Sequence, residues 1–161
     1  LTTSQKKHPL TPALMIRALR LSCISTHYND LWQDTFQKEF KEFEIGSQFT
    51  PKLPYAKLKN KWQRNSCIRD PKAREQALCE IDAIVAILFD FDMDILLNLY
   101  RSQFGVLQKD LQDLPDQKTN EEKYHFPRYA QMKQAYEYFN GLPAVKAHAK
   151  KIEASKRKKS A

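Results

Sequence analysis

A chain of 161 residues is long enough to bury a hydrophobic core without disulfides or structural metals. Its 27 Lys and Arg against 19 Asp and Glu give a net charge of +8, which favours a polyanionic partner. No apolar run approaches the roughly 18 residues of a membrane helix, and the three cysteines have neither a disulfide nor a zinc spacing. We therefore expect a soluble, cytoplasmic protein without membrane contact.

The N-terminal stretch predicts no signal peptide. The chain begins with Leu1, and LTTSQKKHPLTP contains neither an apolar run nor a small-residue cleavage site. We interpret the chain as a fragment of a longer protein. Residues 1–143 are expected to form one helical domain, and residues 144–161 a basic tail that is either helical or disordered.

Thr11 and Pro12 predict the start of a helix, because Thr is a common N-cap and Pro is tolerated in the first turn. Apolar residues then recur at helical spacing until Gly46 ends the pattern. The predicted long helix breaks once near Ser25 and Thr26, whose hydroxyls compete for backbone hydrogen bonds. Its apolar positions are Leu14, Ala18, Leu21, Tyr28, Trp32, Phe36, Phe40 and Phe43.

A basic connection follows, in which residues 51–74 hold eight Lys or Arg and one Asp. Three prolines predict an irregular path with one helical turn. The cations interleave with aromatic residues that can stack on bases, so the loop is a candidate nucleic-acid interface. The alternative, held about equal, is a solvated loop with Trp62 tucked into the core. The candidate binding residues are Lys57, Lys59, Lys61, Trp62, Arg64, Arg69, Lys72 and Arg74.

Two apolar helices are predicted next, over about 74–89 and 93–103, with Asp92 as the N-cap of the second. The first carries Glu80 and Asp82, which point to different faces at a spacing of two residues. A buried carboxylate needs a partner. We therefore predict that Asp82 is substantially buried and is paired with an arginine or with backbone donors, the candidate arginines being Arg17, Arg20 and Arg101. The second helix is expected to turn four residues to the core, namely Leu96, Leu97, Leu99 and Tyr100.

No complete metal or catalytic site is visible in the sequence. Asp90, Asp92 and Asp94 match the first acidic positions of a calcium loop, but Ile95 and Arg101 replace its Gly and its closing Glu. The alternative interpretation, a turn between two helices with Asp92 as N-cap, accounts for the same three aspartates. The four histidines have no metal-ligand spacing, and three glycines cannot form a Gly-rich phosphate loop. We expect no metal and no enzymatic activity in this fragment.

The last third of the chain combines a linker, a helix and the tail. PDQKTNEEK (115–123) superficially matches a nuclease pattern of acids and Lys, but its polar flanks indicate a solvated linker. A shorter segment is predicted over 106–114. RYAQMKQAYEYFNG then predicts a helix that ends at Gly141 and buries Tyr129, Met132, Ala135 or Tyr136, and Phe139. The expected fold is mainly α, an irregular helical domain with a long basic loop and a basic C-terminal tail.

RALRLSCISTHYNDLW (17–32), EIDAIVAILFDFDMDILLNLYRSQFGVLQ (80–108) and YAQMKQAYEYF (129–139) together resemble one known helical region. It is the C-terminal part of class I S-adenosylmethionine-dependent N6-adenine DNA methyltransferases of restriction-modification and phage-defence systems, including single-chain enzymes that also cleave. There, an (E/L)-(I/L)-D-A-x-V-A helix leads through an aromatic-Gly-Leu turn into a helix ending near Y-R-x-Q-F-P-V-L. Here the turn glycine is Asp90 and the proline is Gly105. The matching residues are Asp82, Ala83, Val85, Ala86, Tyr100, Arg101, Gln103, Phe104, Val106 and Leu107.

The resemblance implies a non-catalytic piece of such an enzyme. The Gly-rich cofactor loop and the N-P-P-Y-type motif of the family are absent from this sequence, so methyl transfer and S-adenosylmethionine binding would belong to the rest of the polypeptide. The implied partners are double-stranded DNA and that remaining polypeptide. An alternative from another class is a protein-protein docking module within a restriction or phage-defence complex.

Overall fold

The computed structural model describes residues 7–46, 51–103 and 129–159. Over these residues the chain is mainly helical and contains no strand, which confirms the predicted fold class. The α-helices are α1 (Thr11–Ser22), α2 (Asn29–Thr35), α3 (Pro71–Leu88), α4 (Met93–Gln103), α5 (Tyr129–Gly141) and α6 (Pro143–Lys159). Short 3-10 segments lie at Thr26–Tyr28, Lys38–Glu42 and Tyr55–Lys57.

The predicted long N-terminal helix is divided into shorter pieces. Thr11 is the first residue of α1 and not its N-cap, a position that Leu10 takes. The predicted break near Ser25 and Thr26 is confirmed, but α2 ends at Thr35, where a continuous helix was expected. The second break brings the side chains of Trp32, Phe36 and Phe40 into one aromatic cluster, with successive ring centroids 6.3 and 5.8 Å apart.

The core is built around α3, which packs against α1 on one side and α5 on the other. Small residues on α3 permit this close approach, since Ala83 and Ala86 are buried between larger side chains. The buried cluster shared by α1, α3, α5 and α6 contains Leu10, Ala13, Ile45, Ala83, Ile84, Leu88, Ala135, Phe139 and Val145. A second cluster joins α1 and α2 to the basic loop and contains Ile16, Leu19, Cys23, Trp32, Phe40, Tyr55 and Leu58.

Helix α3 ends in a turn closed by two backbone hydrogen bonds. The N–H of Phe91 donates to Ala86 O at 2.9 Å, and the N–H of Asp90 donates to Ile87 O at 3.1 Å, which is a Schellman arrangement. Asp90 adopts the left-handed conformation that this motif requires, with φ 60°. Asp tolerates that conformation better than most residues other than glycine. The turn therefore forms without a glycine.

Helix α4 begins as predicted, because Asp92 Oδ1 accepts a hydrogen bond from the N–H of Ile95 at 2.8 Å. Leu96 is buried and Leu97 is partly buried, but Leu99 is 41% exposed, so its predicted core position is wrong. The side chains of Tyr100 and Arg101 lie outside the described structure, as do the segments predicted at 106–114 and 115–123.

Helix α5 buries Met132, Ala135 and Phe139 as predicted, and the side chain of Tyr129 lies outside the described structure. Pro143 begins α6, so the basic tail is helical through Lys159. Only the start of α6 is anchored: Val145 is buried, and the ring of His148 contacts that of His8 at 4.7 Å. The side chains described from residue 149 onward are all exposed. Among the described helices, none is long and apolar enough to cross a membrane.

We expect acid to destabilise the contact between His8 and α6. Burial, and secondly the charge of His148, lower the pKa of His8 from 6.5, and its Nδ1 accepts the N–H of Leu10 at 3.1 Å. The unfolded chain thus binds this proton more readily than the folded chain. The contribution of His8 to the free energy of unfolding is therefore fully present above pH 6.5 and decreases as the pH falls toward the lowered pKa. Thermal unfolding of the parent and of His8→Gln, measured across this range, checks the expectation.

The His8→Gln variant should show a flatter dependence of melting temperature on pH than the parent. The matched control is His27→Gln, because His27 is exposed. That variant should retain the parent's slope. Identical slopes for His8→Gln and the parent would contradict the expectation.

Candidate nucleic-acid interface

The basic connection is held firmly against α1 and α2. The indole Nε1 of Trp32 donates to Lys59 O at 2.9 Å, and the N–H of Ile68 donates to Arg20 O at 2.8 Å. Within the loop itself, Tyr55 and Leu58 are buried. The one predicted helical turn is present at Tyr55–Lys57. Backbone hydrogen bonds and buried anchors give the loop a defined shape, so its exposed side chains project from fixed positions.

Two of the predicted binding residues also hold the chain at the C-terminal end of α1. The last carbonyls of a helix have no partner within the helix and carry partial negative charge. Arg74 Nη1 donates to Leu21 O at 3.1 Å and also to Ile68 O at 2.9 Å. Arg69 donates to Ile24 O. These two arginines therefore have a structural role in the described loop.

Trp62 matches the alternative interpretation, in which the ring packs into the protein. Its Nε1 donates to Cys23 O at 2.8 Å, and its partly buried ring packs against the cluster of α1, α2 and the loop. The candidate side chains that are exposed to solvent are Lys57, Lys59, Lys61, Arg64, Arg69 and Lys72.

The buried carboxylate on α3 is Glu80, whereas Asp82 is only partly buried. Arg17 Nε donates to Glu80 Oε2 at 2.6 Å, with both side chains almost inaccessible to solvent. Asp82 is partly exposed. Glu80 lies in helical phase with the buried residues Ala73 and Ala77, whereas a position two residues later is turned away from that face. Arg17, which was a candidate partner of Asp82, pairs with Glu80.

The other guanidinium nitrogens of Arg17 and the second carboxylate oxygen of Glu80 are also hydrogen-bonded. Arg17 Nη1 and Nη2 donate to Ala13 O and Phe43 O at 2.9 and 2.8 Å. Glu80 Oε1 accepts from Gln76 Nε2 at 2.9 Å. A buried ion pair is tolerated when its remaining donors and acceptors are satisfied in this way. The pair therefore joins α1, α3 and the segment around Phe43, which is a structural function and not a catalytic one.

Arg20 is fully buried but binds backbone carbonyls in place of the expected Asp82. Its Nε donates to Ser66 O at 2.9 Å and its Nη2 to Leu53 O at 2.8 Å. The guanidinium carbon lies 4.6 Å from the centroid of the Tyr55 ring, a cation–π contact. Burial lowers the pKa of Arg20, and interaction with Tyr55 opposes that shift. Arg20 thereby fixes both ends of the basic loop to α1.

The acidic and histidine residues of the described chain do not form a metal site as an alternative to this interface. The residues described include no group of three His, Cys, Asp or Glu that could hold a metal ion. Asp90 and Asp92 are used in the turn between α3 and α4. Neither a family model, nor a curated protein, nor a solved structure matches the chain. Function must therefore be argued from its own residues.

Proposed function

We propose that this chain is a non-catalytic helical domain that holds duplex DNA through its phosphates. The observation that carries the proposal is the array of exposed cations on a loop whose backbone is fixed by buried anchors. Lys and Arg neutralise phosphates and release counterions, which favours binding without reading the bases. The cations proposed to contact DNA are Lys57, Lys59, Lys61, Arg64 and Lys72, all exposed, with Arg69 beside them.

Helix α6 would provide a second set of phosphate contacts. Residues 144–161 carry seven Lys or Arg and one Glu. Lys146, Lys150 and Arg157 are exposed and lie on one side of the helix by their spacing of four and seven residues. Because α6 is anchored at its start and is otherwise surrounded by solvent, tertiary packing stabilises it little. Its concentrated positive charge is complementary to a nucleic-acid backbone.

The same proposal places the domain in a cytoplasmic N6-adenine DNA methyltransferase or restriction enzyme of a phage-defence system. S-adenosylmethionine and the catalytic groups would be held by the rest of that polypeptide. The sequence resemblance over 17–32 and 80–108 supports this assignment. So does the turn after α3, where the family's glycine position is occupied by Asp90 in a left-handed conformation.

Exposed apolar residues near α4 favour a second candidate, a docking module for the rest of the polypeptide or for another defence subunit. Phe89 is 50% exposed, and Ile95 and Leu99 are each 41% exposed. Ile95 and Leu99 are four residues apart and share one face of α4. Such a face would bind protein and would not require salt-sensitive contacts.

Duplex binding measured over a series of salt concentrations tests the leading proposal. Fluorescence anisotropy with two duplexes of unrelated sequence should give similar affinities. The logarithm of the association constant should fall linearly with the logarithm of salt concentration. The control Ile95→Ser/Leu99→Ser alters the exposed face of α4 and should leave this behaviour unchanged. Absence of binding at low salt, or binding that is insensitive to salt, would favour the docking candidate.

A further inference from the structure

A tight turn places two polar side chains side by side on the basic loop. The N–H of Ser66 donates to Gln63 O at 2.8 Å, which closes a β-turn over residues 63–66. The Ser66 hydroxyl in turn accepts the N–H of Gln63 at 3.1 Å. Arg64 and Asn65 occupy the two central positions and are exposed, while Ser66 is buried. The turn thus presents a guanidinium and an amide from a fixed backbone.

These side chains line a surface groove of about 570 Å³. The lining combines both ends of the loop, so Lys52 and Arg64 border the same space although twelve residues separate them. Arg69 contributes a third cation and is held in place by its bond to Ile24 O. The apolar part of the lining includes Ile68. The complete lining is Pro51, Lys52, Arg64, Asn65, Cys67, Ile68, Arg69, Asp70 and Ala73.

We propose that this groove binds one nucleotide unit of a DNA strand, with its phosphate held by Lys52, Arg64 and Arg69. The choice of a nucleic-acid ligand rests on the proposed function. The groove is within the usual size range of small-ligand sites, about 300–1,000 Å³, and exceeds the space that a lone phosphate would fill. The remaining space accommodates a sugar and a base.

The lining chemistry fits a phosphate with an organic group attached. The lining contains three cationic side chains and one carboxylate, that of Asp70. Asp70 is the N-cap of α3, because its Oδ1 accepts the N–H of Ala73 at 2.9 Å. Arginine presents a planar set of donors that matches phosphate oxygens. Asn65 can donate to and accept from a sugar or base. Pre-formed walls reduce the ordering cost of binding.

The test uses thymidine 5′-monophosphate as the probe and records the backbone amide signals of residues 65–70 by NMR. In the full chain these signals should shift in a saturable manner. Thymidine without a phosphate should produce no such shift, and inorganic phosphate should bind more weakly than the nucleotide. Lys52→Ala/Arg64→Ala should weaken nucleotide binding by about tenfold or more, since it removes two charge-assisted contacts.

The matched control Lys38→Ala/Lys41→Ala removes the same charge from exposed positions outside the groove lining and should stay within about twofold of the parent. Equal losses in the two double variants, equal binding of phosphate and nucleotide, or no saturable shift in the parent would overturn the inference. Duplex binding by the same proteins separates the two proposals. If the protein binds duplex DNA but shows no NMR response to the nucleotide, only the proposal of a nucleotide-binding groove is refuted. If it responds to the nucleotide but does not bind duplex DNA, the proposed function is refuted.

Discussion

Replacing Glu80 with Ala is expected to lower the free energy of unfolding by about 3–5 kcal/mol. The substitution removes the only carboxylate paired with Arg17 in the described structure and leaves a buried guanidinium without a counter-charge. It also removes the acceptor of the Gln76 amide. Two carbonyl bonds to Arg17 remain, but they do not compensate a full buried charge. Urea denaturation followed by circular dichroism measures the change.

Glu137→Ala is the matched control because it removes a carboxylate from an exposed position on α5, the helix that packs against α3. Its replacement should cost about 1 kcal/mol or less. The double variant Arg17→Met/Glu80→Leu removes both charges and should be more stable than Glu80→Ala alone. A loss in Glu137→Ala as large as that in Glu80→Ala would show that the burial of the pair is not what stabilises this part of the core.

The sequence contains enough information to predict which carboxylate is buried, because helical phase distinguishes position 80 from position 82. Ala73, Ala77, Glu80 and Ile84 recur at steps of three or four residues, and all are buried. The apolarity of the neighbouring residues alone does not distinguish the two acids. Local signals predicted the helices near α3, α4 and α5 because each has its own cap or terminator, such as Asp92 and Gly141.

The break after Thr35 had no comparable local signal. Phe36 leaves the helical path with extended backbone angles, although Trp32, Phe36 and Phe40 fit a helical repeat. The chain departs from that repeat because these rings pack into a cluster with Tyr55 and Leu58 from the basic loop. Residues so distant in sequence can determine the break only through tertiary packing.

Composition predicted the basic loop but could not divide its cations by role. Arg69 and Arg74 bind carbonyls 45 and 53 residues earlier in the chain. Their structural role thus depends on where α1 ends in space. For the same reason, Lys52 was not among the predicted binding residues, since only the folded loop brings it to the groove that Arg64 lines.

Replacing Lys57, Lys59, Lys61 and Arg64 together with Ala is expected to weaken duplex binding and to flatten its dependence on salt. Each phosphate contact removed should reduce the log–log slope by about 0.9. The loss should be nearly equal for duplexes of different sequence, since phosphate contacts position a protein without specifying bases. All four side chains are exposed and the buried anchors Tyr55 and Leu58 are retained, so the melting temperature should change little.

A second quadruple variant is needed because lowering the net positive charge weakens DNA binding wherever the charges lie. Replacing four basic residues of α6 with Ala makes the same change in net charge, and these residues are Lys146, Lys150, Lys151 and Arg157. If the loop is a distinct interface, its variant should lose affinity even when the α6 residues are intact, and combining both sets should cost more than either. Equal binding by the loop variant and the parent at every salt concentration would make the loop a solvated connector. The exposed face of α4 would then be the stronger candidate for function, because protein docking through Ile95 and Leu99 needs none of these charges.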